Sequence, residues 1–275
     1  MQSHGPHGSP GRRSGGWQTE RVNDSTAPVP AHVLPLVVRL ERTAPPTRTD
    51  ALETAARAVL TLLADRRTTG TPPAPEAADG PDAEETPGAW AEAVGRWEDV
   101  HGGGIRKVVR RARGAEWRRA QALPGITVAG GTAEVRAFPP VPLDGWPKDL
   151  AKLQVSGTDL DDPEPPAPPA EGLPVLWLNP DLDMSAGKTM AQAGHAAQLA
   201  WWRLDEDSRT EWREAGFPLA VRTAPGTAAW TELTSSGLPV VRDAGFTEIA
   251  PGNTVVAEGG TRFCPLAREA GHAPR

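Results

Sequence analysis

LPVLWLNPDLDMSAGKTMAQAGHAAQLAWW, residues 173–202, holds the reading that decides the fold. Its first six residues form a continuous apolar run, too short for a helix and closed by Asn179 and Pro180, which predicts a strand buried on both faces. From Thr189 to Trp202 the chain is rich in Ala, Gln and Met, good helix formers, and is introduced by Gly187 and Lys188, which predicts a helix. A buried strand passing through a short polar turn into a helix opens an α/β unit.

Downstream, Glu206 to Ala215 reads as a second helix, FPLAV (217–221) as a strand, TAAWTELTSSG (227–237) as a helix, and LPVVR (238–242) and NTVVAE (253–258) as strands. The order βααβαββ predicts an α/β fold with a small mixed β-sheet flanked by helices on both faces. Upstream, the same order recurs. Val33 to Arg39 reads as a strand, Asp50 to Asp65 and Ala89 to Val100 as helices, Ile105 to Arg110 as a strand, Ala115 to Ala122 as a helix, and GITV (125–128) and AEVRAF (133–138) as strands. VVRRARGAEWRRAQAL (108–123) can be laid on AVRTAPGTAAWTELTS (220–235), pairing Val109 with Val221, Arg110 with Arg222 and Gly114 with Gly226; one inserted residue brings Trp117 onto Trp230. The chain therefore reads as a tandem duplication with a degenerate N-terminal copy.

At 275 residues the chain has room for two small domains, and its 30 prolines and 29 glycines mark where they divide. Residues 1–30 lack periodicity and read as a disordered tail, about 67–88 as a flexible insertion, and 158–172, which contains DLDDPEPPAPPA (159–170), as a linker. That leaves one domain at 31–157 and another at 173–275. The single cysteine, Cys264, excludes an internal disulfide. No stretch approaches the roughly 20 apolar residues of a membrane span, and Met1 to Trp17 has no apolar signal core, so a soluble cytoplasmic protein with no membrane partner is expected. A net charge of −6 argues against coating nucleic acid by bulk electrostatics but leaves room for a local basic surface. No Cys/His cluster has ligand spacing, so neither metal nor cofactor is implied. SAGKT (185–189) is not a phosphate-binding loop, because that motif needs Gly where Leu182 stands.

Two blocks carry chemistry. NPDLDMSAGKTMAQAGHAAQLAWW (179–202) and, further on, DAGFTEIAPG (243–252) resemble the class II peptidyl-tRNA hydrolases, the archaeal and eukaryotic type. Asp181, Leu182, Met184, Gly187, Lys188, Ala191, Gln192, His195 and Ala196 fit the first family pattern; Asp243, Ala244, Gly245, Thr247, Glu248, Ile249, Pro251 and Gly252 fit the second. The resemblance covers about 85 residues. Asn179 stands where the family has Arg, and Ala186 where it has the first Lys of its GKGK. NTVV replaces TVTV after the Pro-Gly, which predicts that Thr254 misses the position nearest the site.

The resemblance implies hydrolysis of the ester between a peptide and the 3′ ribose of tRNA, a bond already activated, so that a positioned water and charge stabilisation suffice. It implies Lys188 at a helix N-terminus beside Asp243 and Thr247 as the catalytic group, with Asp243 orienting the water. Gly187, Gln192 and His195 would bind substrate, the last in a supporting role. Gln192 and His195 follow Lys188 by four and seven residues and so share its helix face. Trp201 and Trp202 read as helix packing.

IRKVVRRARGAEWRRA (105–120) is the densest basic stretch of an acidic chain, and Arg106, Lys107, Arg110, Arg111 and Arg113 are its candidate tRNA contacts. The partner expected is peptidyl-tRNA dropped from ribosomes. The resemblance implies a homodimer, which the family often forms, but a fused second unit would occupy the same surface, so a monomer imitating a dimer is expected beside a plain homodimer. A non-catalytic tRNA- or partner-binding protein and a hydrolase of some other ester or amide are the alternatives.

Overall fold

The structure, a computed structural model, describes residues 31–70, 86–99, 105–245 and 247–266. The expected tail at 1–30 and most of the expected insertion at about 67–88 lie outside the described residues.

The N-terminal unit is built on β1 (His32–Arg39), whose seven leading residues are all buried. β2 (Lys107–Ala112) runs parallel to β1, with Val37 opposite Arg110. β3 (Ile126–Ala129) and β4 (Glu134–Ala137) form a hairpin whose second strand lies antiparallel on the other side of β1. β5 (Val141–Pro142) adds a short antiparallel pairing at the start of β1. The helices are α1 (Arg48–Ala64), α2 (Arg66–Thr69), α3 (Ala91–Glu98), α4 (Gly114–Gln121) and α5 (Lys148–Ala151).

The C-terminal unit repeats this plan. Its strands are β6 (Val175–Leu178), β7 (Ala220–Thr223), β8 (Val240–Asp243) and β9 (Gly252–Glu258), and its helices α6 (Ala186–Arg203), α7 (Glu206–Glu214) and α8 (Thr227–Ser235). Strand order β7-β6-β9-β8 matches β2-β1-β4-β3 position for position, and in each sheet the second strand is parallel to the first while the last two return antiparallel. The residues aligned by sequence fall in equivalent places: Gly114 and Gly226 both precede or open a helix with positive φ, and Trp117 and Trp230 are both buried.

Each sheet covers its outer face with one helix. α4 seals the first through Trp117 and Ala120 against Val37 and Phe138, and α8 seals the second through Trp230 and Leu233 against Val256. The inner faces meet a shared layer in which α1 packs on α6, so one continuous apolar cluster joins residues of both units, from Leu36 and Leu60 to Met190 and Val255. Buried alanines on both helices allow this close approach. At Gly194 a Cβ would lie 2.9 Å from Val59 Cγ2 and 3.2 Å from Lys107 Cδ, so only glycine fits without a shift. Glu53 on α1 fixes the pairing further, accepting from Arg222 at 2.6 Å and from the Val221 N–H at 3.1 Å.

The Pro-rich connection holds both central helices by their N-termini, whose first N–H groups have no partner inside the helix. Asp162 accepts from the Thr49 N–H (2.9 Å) and hydroxyl (2.7 Å) at the start of α1. The buried Thr158 hydroxyl accepts from the Gly187 N–H (3.0 Å) at the start of α6. Ser185 caps α6 as well, its hydroxyl accepting from the Lys188 N–H, and the helix therefore begins at Ala186 rather than at Thr189 as periodicity suggested.

Candidate active site

The start of α6, the end of β8 and the turn that follows β8 meet at Lys188. It occupies the first turn of α6, where free N–H groups and the helix dipole already favour negative charge. Its ammonium donates to Asp243 Oδ2 at 2.5 Å and to Thr247 Oγ1 at 3.1 Å. Asp243 ends β8 immediately after a register shift between Val241 and Arg242, an irregularity that re-aims the chain towards α6. The side chains of this ion pair are only 12% and 10% exposed, so it is poorly screened by solvent.

Asp243 has further partners. Gln192 Nε2 donates to the same Oδ2 at 2.7 Å, and the Gly245 N–H donates to Oδ1 at 2.8 Å. Burial alone would raise the carboxyl pKa; the bonds from Lys188, Gly245 and Gln192 outweigh it and hold Asp243 below its usual value of 3.8. The Gln192 amide is itself oriented, because the buried Thr254 hydroxyl donates to Gln192 Oε1 at 2.7 Å. Thr254 thus has no described hydrogen bond to Lys188 or Asp243 and reaches the site through Gln192. Spacing within the strand gave no sign of this, since the contact depends on how β9 lies against α6.

Lone-pair counting states what the array leaves open. Oδ2 of Asp243 is filled by Lys188 and Gln192, and Oδ1 keeps one lone pair beyond the Gly245 bond. Lys188 keeps one of its three N–H donors, and Thr247, which accepts from Lys188, keeps its own hydroxyl proton to donate. One acceptor, one cationic donor and one hydroxyl donor face the same space.

Other expected residues take supporting places. A Cβ on Gly187 would meet Thr158 Oγ1 at 2.7 Å, so glycine there is required by the capping threonine. His195 faces the same cavity two turns beyond Lys188 on α6, but it has no hydrogen bond to Lys188, Asp243 or Thr247 among those described; its Nδ1 lies 3.4 Å from Lys107 Nζ. Burial, then the charges of Lys107 and Lys188, push the imidazole well below its ordinary 6.5. Glu248, a motif residue given no role by the sequence, accepts from the Ser185 hydroxyl (2.9 Å) and N–H (3.2 Å), tying the turn after β8 to the start of α6. Asn179, in place of the family's Arg, bridges its own turn to the Asn253 carbonyl.

The five candidate tRNA contacts are not gathered on one face. Lys107 is buried, donating to Gln198 Oε1 at 2.6 Å over the Trp97 ring, and burial lowers its pKa strongly. Arg110 stacks on Trp146 and donates to the Ala151 and Leu153 carbonyls, while Arg111 donates to Ser156 O and the Gln154 side chain. Arg106 lines the cavity beside α6, and Arg113 is half-buried ahead of α4. Trp201 packs edge-on against Phe217, and Trp202 donates to Glu98. The alternation expected of a strand was present in the basic run, but charge density does not reveal which arginines will be consumed by nearby carbonyls.

Lys188, Gln192, His195, Asp243 and Thr247 all line one cavity of about 700 Å³. Residues 174–260, which include every one of them, match the sequence profile of the family described as Peptidyl-tRNA hydrolase PTH2. Over 92 residues the chain is 43% identical to the Peptidyl-tRNA hydrolase of Pyrobaculum aerophilum, a match covering 28% of this chain and 74% of that protein. The Peptidyl-tRNA hydrolase of Aeropyrum pernix is 36% identical over 96 residues, covering 30% of this chain and 77% of the other. Peptidyl-tRNA hydrolase 2, mitochondrial, of Bos taurus is 37% identical over 91 residues, 30% of this chain and 51% of that protein, so the chain spans about half the length of that relative. The chain belongs to the PTH2 family of peptidyl-tRNA hydrolases. Among the described residues no helix is long and apolar enough to cross a membrane.

Proposed function

We propose that the chain hydrolyses the ester bond of peptidyl-tRNA, releasing peptide and free tRNA. The observation that carries this reading is the array Lys188–Asp243–Gln192–Thr254, which leaves one cationic donor and one carboxylate lone pair open to the same cavity. In the reaction the water oxygen bonds the acyl carbon, the ester C–O bond breaks, and the 3′ oxygen leaves as a hydroxyl that takes up the water's proton. A carboxylate held below 3.8 is a weak base, so Asp243 orients the water and answers the charge it develops rather than removing its proton outright. The spare N–H of Lys188, with the α6 N-terminus behind it, stabilises the oxyanion, and Thr247 donates to the water or the carbonyl. Gln192 and Thr254 position Asp243, Gly187 lets Thr158 hold the helix start, and His195 supports the wall as a neutral ring.

The same reading makes residues 173–275 the catalytic domain and 31–157 a degenerate copy fused ahead of it, joined by 158–172. The equivalent strand orders support the duplication, and the α1–α6 layer supports a monomer that imitates a dimer. The substrate would be peptidyl-tRNA dropped from ribosomes, with Arg106 the best placed of the basic residues to meet its acceptor end. A lone buried thiol suits the reducing cytoplasm. The test is to incubate the purified full chain with an N-acetylated aminoacyl-tRNA and, in parallel, with small aryl esters. Release of tRNA from the first alone is expected; tRNA bound without release would favour a non-catalytic binding protein, and turnover of the aryl esters alone a different hydrolase.

A further inference from the structure

The cavity at Lys188 is walled by both halves of the chain, and the N-terminal wall is the more aliphatic, although Leu199 and Val241 of the C-terminal unit also line it. Its polar side groups, Ser185, Gln192, Asp243, Thr247 and Glu248, belong to the C-terminal unit. The N-terminal unit contributes Val33, Ile105, Val108, Val109, Leu143 and Val155, with Arg106 and Lys107 among them. Leu143 and Val155 are 44% and 54% exposed, and among the described residues only one other large apolar side chain, Trp202, is as openly exposed, at 39%. Two of three uncovered apolar side chains therefore border the same space as the ion pair. None of the N-terminal wall lies within 174–260, the segment that carries the family match.

We infer that this aliphatic wall is a subsite for the side chain of the amino acid esterified to tRNA, so that the N-terminal unit sets a preference for apolar acyl groups. The inference rests on the hydrolase reading above. An acyl carbon held at Lys188 and Asp243 carries the side chain on the next carbon, and the aliphatic wall, continued by Leu199 and Val241, is apolar surface of the same cavity. The described wall has aliphatic side chains and no aromatic ring, which suits an alkyl group, whereas bases are held chiefly by stacking. The ribose and phosphates of the tRNA end are left to the polar wall and Arg106. Covering Leu143 and Val155 with an alkyl side chain removes apolar surface from water on both partners.

The experiment measures kcat/KM of the full chain on N-acetyl-leucyl and N-acetyl-glycyl esters of one and the same tRNA, for the native chain and for Leu143→Asp and Val155→Asp. A preference of about tenfold for the leucyl ester is expected, expressed mainly in KM, and each substitution should bring the leucyl-to-glycyl ratio close to one. Equal kcat/KM for the two esters in the native chain would overturn the subsite while leaving the hydrolase intact. Variants that lose activity on both esters in equal proportion would also overturn it, assigning the wall to the tRNA end. Failure of the native chain on every acyl group would remove the hydrolase reading, and the subsite with it.

Discussion

Asp243 is asked to stay ionised while largely shielded from water, and its partners decide whether it can. Burial opposes the charge; Lys188, Gly245 and Gln192 favour it more, so the folded pKa lies below 3.8. A depressed carboxyl pKa means the ionised form is fully present above the unfolded value and is lost as pH falls through the folded one. His195 is neutral well below 6.5 and adds no inflection near that value. A profile of kcat/KM against pH should accordingly be flat on its acid side down to about pH 5; a limb centred near 6.5 would reassign His195 as a participant. Thr254 offers a second check. Thr254→Val leaves Gln192 Oε1 buried without its donor, which costs about 1–3 kcal/mol of stability by denaturant unfolding, and it should lower kcat more than it raises KM. Lys188, Asp243 and Thr247 were legible in the sequence because their motif preserves local spacing. The tasks of Thr254 and of the motif residue Glu248 were not, because they depend on how β9 and the β8 turn meet α6.

At the level of elements, nearly every strand and helix was readable from apolar runs and breakers, and the discrepancies have local causes. Periodicity began α6 at Thr189, but the Ser185 cap and the Thr158 contact draw in one earlier turn. β5 and α5 were missed because a two-residue strand and a four-residue helix carry no period to detect. The linker expected between two domains also anchors α6 and α1, through its Thr158 and Asp162. Asp50, in the first turn of α1, performs a similar task for the β3–β4 hairpin. Its carboxylate accepts from the N–H groups of Gly131 (3.1 Å), Thr132 (2.5 Å) and Ala133 (2.7 Å) and from the Thr132 hydroxyl (2.9 Å). Burial raises its pKa, and these bonds more than reverse that. Asp50→Asn should therefore cost about 1–2 kcal/mol at neutral pH. The gap between variant and native stability should begin to narrow below 3.8 and close as pH falls through the lower folded-state pKa, where the native carboxylate is protonated too. A gap that persisted in acid would mean that shape, not charge, holds the turn.

Across the whole molecule, two units of one topology bury their first helices against each other and share a core. The common strand order was visible in the order of elements. The shared layer was not, since an Ala-rich face on α6 does not announce its partner. The layer predicts that the full chain is monomeric by light scattering while residues 171–275 alone, with α6 uncovered, self-associate or unfold; a stable monomeric fragment would show that the N-terminal unit is structurally dispensable. The central claim, that Lys188 and Asp243 act together on an ester of tRNA, is tested most directly by single-turnover release of labelled peptide from peptidyl-tRNA by the full chain, Lys188→Ala, Asp243→Ala and the double variant. The account predicts that each single substitution lowers the rate about a hundredfold or more and that the double variant is little worse than either, as expected of groups acting as a unit. Native-like release by either single variant would contradict it.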